Sequence, residues 1–266
     1  MVLAVLTASG PVRSLAAMAS RIRIYLARPR GGFAELGLAV ALYALYEVVR
    51  GFGTTSAALA RSHTADIVAL ERHLHVYDER SVQRAVEHVP ALPGVLGFLY
   101  MSLHLVGTAL ALIWVYRSHR EWFPLVRTTI VTATAIALAI YILYPAAPPR
   151  LAGLGFADTV TSAAHVNLSS EALGSFYNPF AAVPSLHFGY ALLVGVALYL
   201  LAGNPIVRIL GALYPALMLF VIVATGNHFV FDAAAGGVVM VAGWWIALRL
   251  SPAGLPDRRT PALRTA

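Results

Sequence analysis

The sequence contains no cysteine and no lysine, and it has few charges of either sign. Without cysteine the chain can form neither a disulfide nor a thiolate metal site, and it has no cysteine nucleophile. Charged residues make up 12% of the chain and hydrophobic residues 59%, whereas soluble globular domains average about 25% and about 45–50%. The scarcity of charge therefore argues against a water-soluble enzyme.

Long apolar runs occupy much of the chain instead. Runs of about 17–24 residues are long enough to cross a hydrocarbon core of about 30 Å at about 1.5 Å per helical residue. Six such runs are predicted as spans, at about 33–49, 93–116, 128–144, 184–202, 206–225 and 229–249. The sequence thus predicts an all-α, polytopic membrane protein. A six-helix membrane domain is expected over residues 33–250, with a basic cytoplasmic arm over 1–32 and a cytoplasmic tail over 251–266.

The two longer connections between these runs differ in character. Residues 51–92 mix charged side chains with apolar positions at roughly helical spacing, which predicts short amphipathic helices on the membrane surface. Residues 145–183 contain Pro, Gly, Asn and Ser with few long apolar runs, and are expected to form a structured loop.

The positions of arginine predict the orientation in the membrane. All nineteen basic residues are Arg, and the formal net charge is +7. With a cytoplasmic N-terminus, thirteen Arg residues lie inside and six lie outside, diluted over long segments that also carry seven acidic residues. By the positive-inside rule both termini are expected in the cytoplasm of a cell-membrane protein. The basic excess then reflects topology, and no nucleic-acid partner is expected.

In this orientation, polar residues from separate parts of the chain gather at the extracytoplasmic ends of spans three to six. Ser185 precedes span four and can cap it, so that His187 falls in the first turn. Free backbone N–H groups and the helix dipole favour an anion there. Arg150, in the preceding loop, supplies a fixed charge suited to a phosphate.

A second pair lies at the start of span six. His228 and Asp232 are four residues apart and therefore share a helix face. The carboxylate can accept a hydrogen bond from one ring nitrogen and leave the other nitrogen as a nucleophile or base.

Each of these residues also has a structural interpretation. A histidine at a span end can bridge two helices, the His228–Asp232 pair can be purely structural, and Arg150 can be an interfacial anchor. Two histidines, an aspartate and an arginine at one depth are costly near a bilayer, which favours a function for the group as a whole.

Span two and span six hold further candidates that are interpreted as structural. Tyr100 and His104 share a helix face and are expected to form a hydrogen bond within the bundle. Gly236, Gly237 and Gly243 indicate close helix packing rather than a nucleotide loop.

Two of these sequence runs carry a resemblance to a known family. Pro184-Ser185-Leu186-His187 and His228-Phe229-Val230-Phe231-Asp232 resemble the second and third motifs of the type 2 phosphatidic acid phosphatase (PAP2) superfamily, over roughly residues 128–249. With Leu186 in the first of these runs, the chain resembles the branch that contains fungal inositol phosphorylceramide synthase more than it resembles the phosphatases, which usually have Pro-Ser-Gly-His. Further runs that resemble this branch are Thr225-Gly226-Asn227-His228, Glu71-Arg72-His73-Leu74-His75, Tyr100 with His104, and Tyr144 to Arg150.

The resemblance implies a six-helix bundle that transfers a phosphoryl group in two steps through a phosphohistidine. By position, His228 would be the nucleophile, Asp232 its orienting partner and His187 the acid that protonates the leaving oxygen. Ser185 and the neighbouring N–H groups would hold the phosphoryl oxygens. No cofactor and no metal ion is implied.

The chain also departs from the phosphatase pattern. Val221-Ile222 stand where a Ser-Arg pair is usual, and the lysine of the first motif has no counterpart. Substrate binding is therefore expected to depend on Arg150 and the start of span four, together with Thr225 and Asn227.

The predicted function is that of a membrane lipid phosphatase or phosphotransferase, acting on a lipid phosphate or phosphodiester at the outer leaflet. Water and an alcohol both remain open as the acceptor. An alternative is a transporter that binds a lipid headgroup without cleaving it, although no inverted repeat is visible. A structural subunit of a membrane complex would leave the polar groups unexplained.

Overall fold

α-Helices form most of the part of the chain that the structure describes. The computed structural model of the protein describes residues 31–51, 56–159 and 179–251. In chain order the helices are α1 (Gly32–Gly51), α2 (Ala57–His73), α3 (Glu79–Glu87), α4 (Leu92–Ser102), α5 (Thr108–Ser118), α6 (Phe123–Leu143), α7 (Leu186–Leu201), α8 (Pro205–Ala224) and α9 (Val230–Leu250). The all-α prediction is confirmed. The expected arm through residue 30, residues 160–178 of the expected loop and the tail after residue 251 lie outside the described residues.

Among the described residues, four helical segments are long and apolar enough to cross a membrane. A π-helical turn over Leu103–Gly107 joins α4 and α5 into one segment of 27 residues, Leu92–Ser118. The other three are α6, α8 and α9, with 21, 20 and 21 residues. Two apolar segments, Gly32–Tyr46 and Leu186–Leu201, are shorter. The protein is thus a polytopic membrane protein, and each predicted span falls on a helix.

The helix at predicted span three, α6, begins earlier than expected and carries a buried ion pair in its first turns. α6 begins at Phe123, five residues before the expected start at Thr128, and it includes Arg127. The Arg127 guanidinium donates to the Glu35 carboxylate of α1, and both residues are less than 9% exposed. Because each charge neutralises the other, both can lie within apolar helices. Glu35 and Arg127 are 92 positions apart, so their pairing is not visible as a local pattern.

Small residues bring the helix backbones of the bundle close together. A Cβ atom on Gly195 of α7 would lie 2.5 Å from the carbonyl oxygen of Gly211 in α8. One on Gly243 of α9 would lie 2.9 Å from Ala133 of α6, and the Thr132 hydroxyl donates to the Gly243 carbonyl at 3.0 Å. These contacts pack α7 on α8 and α9 on α6, as is typical of small residues in membrane bundles.

The two amphipathic helices hold the connections at one end of the bundle. Thr64 of α2 donates to the carbonyl of Ala147 and accepts from its N–H, both at 2.9 Å. Gln83 of α3 does the same with the backbone of Ala157, at 3.0 Å for both bonds. The connections on either side of Arg150 are therefore anchored by α2 and α3.

Candidate active site

The N-terminus of α7 forms the first part of the site. Ser185 is the N-cap and its hydroxyl accepts a hydrogen bond from the N–H of Phe188 at 3.4 Å, so the predicted cap is confirmed. His187 lies in the first turn and is half-buried. The hydroxyl of Tyr141 in α6 donates to the carbonyl of Pro184 at 2.8 Å, which fixes the chain just before the cap.

The turn between α8 and α9 forms the second part. Gly226 has a φ of +68°, in the left-handed region that favours glycine. This turn lets the N–H groups of Asn227 and His228 both donate to the carbonyl of Ile222, at 3.0 and 3.2 Å. His228 is consequently held at the end of α8, directly before α9, and is only 5% exposed.

Asp232 orients the ring of His228. Its Oδ2 atom lies 3.3 Å from Nδ1 of His228 and accepts a hydrogen bond from the N–H of Phe229 at 2.9 Å. The backbone bond fixes the carboxylate, and the carboxylate fixes the ring, so that Nε2 is the nitrogen left for chemistry. The predicted pairing of these residues is confirmed.

The two histidines come together although about forty residues separate them in the sequence. The ring centroids of His187 and His228 are 5.6 Å apart. At this distance a group held on one ring can be reached by the other, which is the requirement for an acid or base that serves a nucleophile.

Tyr100 and His104 also belong to this site. The Tyr100 ring stacks on His187 with a centroid distance of 4.3 Å, and the His104 ring lies 4.1 Å from His187. His104 is part of the π-helical turn, a feature that is frequent at functional sites. This pair was expected to form a structural hydrogen bond within the bundle, and nothing in the sequence linked it to the site. Both rings contact His187 and limit its orientation.

Arg150 lies at the edge of the site within a polar network. Its Nε donates to Oδ1 of Asn227 at 2.9 Å, and one terminal nitrogen pairs with Asp158 at 3.2 Å. The amide of Asn227 donates in turn to the hydroxyl of Thr225 at 2.9 Å. The Thr225 hydroxyl donates to the carbonyl of Val221 at 2.7 Å, so its proton is already engaged. Direct contact of Arg150, Thr225 and Asn227 with a substrate stays a prediction.

Two acidic residues of α2 and α3 contact the start of α9, and the sequence analysis did not assign either of them to the site, although Glu71 begins a run that resembles the family branch. Glu71 of α2 and Glu79 of α3 are each 1% exposed, and both accept hydrogen bonds from the first turn of α9. The sequence weakly indicates the burial of Glu71, since this residue falls four positions after Ile67 on the apolar face of α2.

The arrangement suits transfer of a group between a nucleophile and an acid. A ring nitrogen of His228 is directed by Asp232, and a second ring, His187, lies opposite at the N-terminus of a helix. Across residues 31–51, 56–159 and 179–251, no group of three or more His, Asp or Glu side chains is placed to hold a metal ion.

The protein is therefore an all-helical membrane bundle in which a His–Asp pair faces a second histidine. The family model of the PAP2 superfamily matches residues 65–246, more than half of the chain, and the protein belongs to that superfamily. The match begins well before the region over which the two motifs were recognised, and it includes Glu71 and Glu79. Searches of curated proteins and of solved structures returned no match.

Proposed function

We propose that the protein is an integral membrane lipid phosphatase or phosphotransferase that acts through a phosphohistidine at the extracytoplasmic face. Membership of the PAP2 superfamily supports a phosphatase-type activity on lipid phosphates. The observation that carries the proposal is the 5.6 Å separation of the His187 and His228 rings, with His228 held by Asp232.

In the first step, Nε2 of His228 attacks phosphorus and the bond to the leaving oxygen breaks. His187 donates a proton to that oxygen, so that the lipid leaves as an alcohol. The Ser185 hydroxyl and the N–H groups of the first turn of α7 bind the phosphoryl oxygens. Because Asp232 accepts from Nδ1, it stabilises the positive charge that the ring gains when Nε2 bonds to phosphorus.

In the second step, an acceptor hydroxyl attacks the phosphohistidine and the N–P bond breaks. His187, now neutral, takes the proton of the acceptor, which restores both histidines. Water would give inorganic phosphate, and an alcohol would give a new phospholipid. His228 is 5% exposed and Asp232 is fully buried, and this limited access to water supports including alcohol acceptors in any assay.

The proposal is tested with the purified protein in detergent and a panel of lipid phosphates, with and without inositol or diacylglycerol. Release of phosphate would identify a phosphatase, and formation of a new phospholipid would identify a transferase. His119→Ala is the matched control for alanine variants of His187 and His228. His119 is the C-cap residue of α5, and its ring packs on Trp114 with a centroid distance of 4.8 Å. Binding of the lipid phosphate without turnover in any condition would contradict the proposal and favour a transporter.

A further inference from the structure

Carboxylates bind the N–H group of the N-cap Phe229 and those of the first two residues of α9. The N–H of Phe229 donates to Asp232 at 2.9 Å, that of Val230 to Oε1 of Glu79 at 3.1 Å, and that of Phe231 to Oε1 of Glu71 at 2.6 Å. At the start of a helix, such N–H groups have no backbone carbonyl of the same helix to bind. Glu79 and Glu71 reach them across 151 and 160 positions of sequence, so α2 and α3 are fastened to the start of α9.

The second carboxyl oxygens of Glu71 and Glu79 bear on whether both side chains are ionised. Within the described residues, Oε2 of Glu71 and Oε2 of Glu79 are buried and receive no hydrogen bond from an N–H group or a hydroxyl. The two carboxyl groups accept from consecutive backbone N–H groups, those of Val230 and Phe231, and therefore lie close together. Two adjacent, buried and ionised carboxylates would repel strongly, and a shared proton removes the repulsion.

A proton on Glu71 is compatible with all the backbone contacts. Its Oε1 still accepts from Phe231 while the new O–H donates to Glu79, whose own Oε1 still accepts from Val230. Burial raises the pKa of Glu71 from 4.5 to about 8, and the charges of Glu79 and Asp232 act in the same direction. The bond from Phe231 opposes the shift without cancelling it.

Several other charged or titratable groups surround the pair. On α9, Asp232 acts on Glu71 and is itself paired with His228. On the other side, the Arg72 guanidinium lies 4.9 Å from the ring centroid of Tyr77, whose pKa is raised by burial. Among the described residues, none of these groups forms a hydrogen bond with the buried Oε2 atom of Glu71 or of Glu79.

We propose that Glu71 and Glu79 are positioning residues whose shared proton lets them clamp the N-terminus of α9 and so hold His228 and Asp232 in register with His187. The effect on turnover rests on the proposed phosphoryl transfer. The effect on folding stability does not, because it follows from the carboxyl pair alone.

The first test compares two substitutions of Glu71 in the full-length protein. Glu71→Gln keeps an oxygen for the Phe231 N–H and supplies an N–H to Glu79, so it imitates the protonated acid. Glu71→Ala removes both. Turnover of a lipid phosphate should stay within a few-fold of wild type in Glu71→Gln and fall by about 10- to 100-fold in Glu71→Ala, since a misplacement of about 1 Å costs that much. Glu87→Gln is the control, because Glu87 forms an exposed pair with Arg80.

The second test measures thermal unfolding in detergent against pH. A carboxyl with a raised folded-state pKa stabilises the fold fully below its unfolded value, and the contribution is lost as pH rises through the folded value. The melting temperature of wild type minus that of Glu71→Gln should therefore fall steadily between pH 4.5 and about 8 and level off above that. Glu87→Gln should show no such trend.

The outcomes separate this inference from the proposed function. A difference in melting temperature that is constant with pH would overturn the shared proton. Equal turnover in Glu71→Gln and Glu71→Ala would overturn the positioning role, provided that wild type is active. If no variant turns over any lipid phosphate while the pH trend is present, the proposed function fails and the shared proton stands. Should Glu71→Ala not fold, Glu79→Gln and Glu79→Ala replace the Glu71 variants in the turnover comparison, because Glu79 accepts from the Val230 N–H in the same way. Equal turnover in these two variants would overturn the positioning role.

Discussion

The backbone N–H of Ser185 donates a hydrogen bond to the carbonyl oxygen of Asp232 at 2.9 Å. This bond joins the first turn of α7, which carries His187, to the first turn of α9, which follows His228. The approach requires glycine one turn further along α9, since a Cβ on Gly236 would lie 2.1 Å from the Ser185 carbonyl oxygen. The spacing of the two histidines therefore depends on backbone contact between these helices.

Gly236→Ala should separate α7 from α9 and lower both stability and turnover. The steric conflict is with backbone, which cannot move aside as a flexible side chain can, and overpacking of this kind costs about 1–3 kcal/mol. Gly237→Ala is the matched control, because its Cβ would lie nearest to side chains rather than backbone, the Phe188 ring at 3.4 Å and Leu192 at 3.8 Å. Both substitutions raise helix propensity by the same amount. A difference between the two variants in thermal unfolding or in lipid phosphate turnover therefore reports the backbone contact of Gly236. Equal behaviour of the two variants would disprove the role given to this approach.

Arg150→Lys should fold normally and turn over substrate more slowly. Lysine keeps the charge, but it cannot bind Asn227 and Asp158 at once in the planar geometry of a guanidinium. Turnover should fall by about 10- to 100-fold if one hydrogen bond to a charged group, worth about 1.5–3 kcal/mol, is lost. Arg61→Lys serves as the control, since exposed Arg61 donates to a backbone carbonyl, that of Leu151, at 3.1 Å. Wild-type turnover in Arg150→Lys would mean that Arg150 is an interfacial anchor.

The histidines should respond differently to the leaving group of the substrate. His228→Ala removes the nucleophile and should abolish turnover of every substrate. His187→Ala removes the acid and should lose about 10²–10⁴-fold on alkyl phosphates, yet keep much more on an activated aryl phosphate, whose leaving oxygen needs no proton. The assay requires that both variants show a wild-type unfolding transition. Rescue of His228→Ala by the aryl phosphate, without rescue of His187→Ala, would reverse the assignment.

The Arg distribution predicts where the connections lie in the cell. Compartment-sensitive reporters fused after Arg120 and after Ala266 should report the cytoplasm, and one inserted within residues 157–172 should report the outside. A cytoplasmic signal from residues 157–172 would place the site on the inner face and remove the outer-leaflet claim.

Local patterns in the sequence were enough to predict much of the site. The cap by Ser185 and the His228–Asp232 pair both follow from spacings within a single turn of helix, and both are confirmed. The resemblance to the PAP2 superfamily is confirmed as well, although the branch nearest to inositol phosphorylceramide synthase stays a prediction.

Contacts between distant segments were beyond this reasoning. The Glu35–Arg127 pair, the stacking of Tyr100 on His187 and the bonds from α9 to Glu71 join residues that only the packing of helices brings together. A helical pattern predicts which face a residue occupies, but it does not predict which helix that face meets. This is why Tyr100 was interpreted as structural and Glu71 was overlooked as a site residue.

The most direct test of the account is to trap the covalent intermediate. Wild type and the His187→Ala and His228→Ala variants are mixed with a labelled activated aryl phosphate and quenched, and the protein is analysed for acid-labile, base-stable phosphate. The label should lie on His228 in wild type, accumulate in His187→Ala because the acceptor is no longer deprotonated, and be absent from His228→Ala. Label on another residue, or turnover in wild type without any histidine-bound phosphate, would contradict the account.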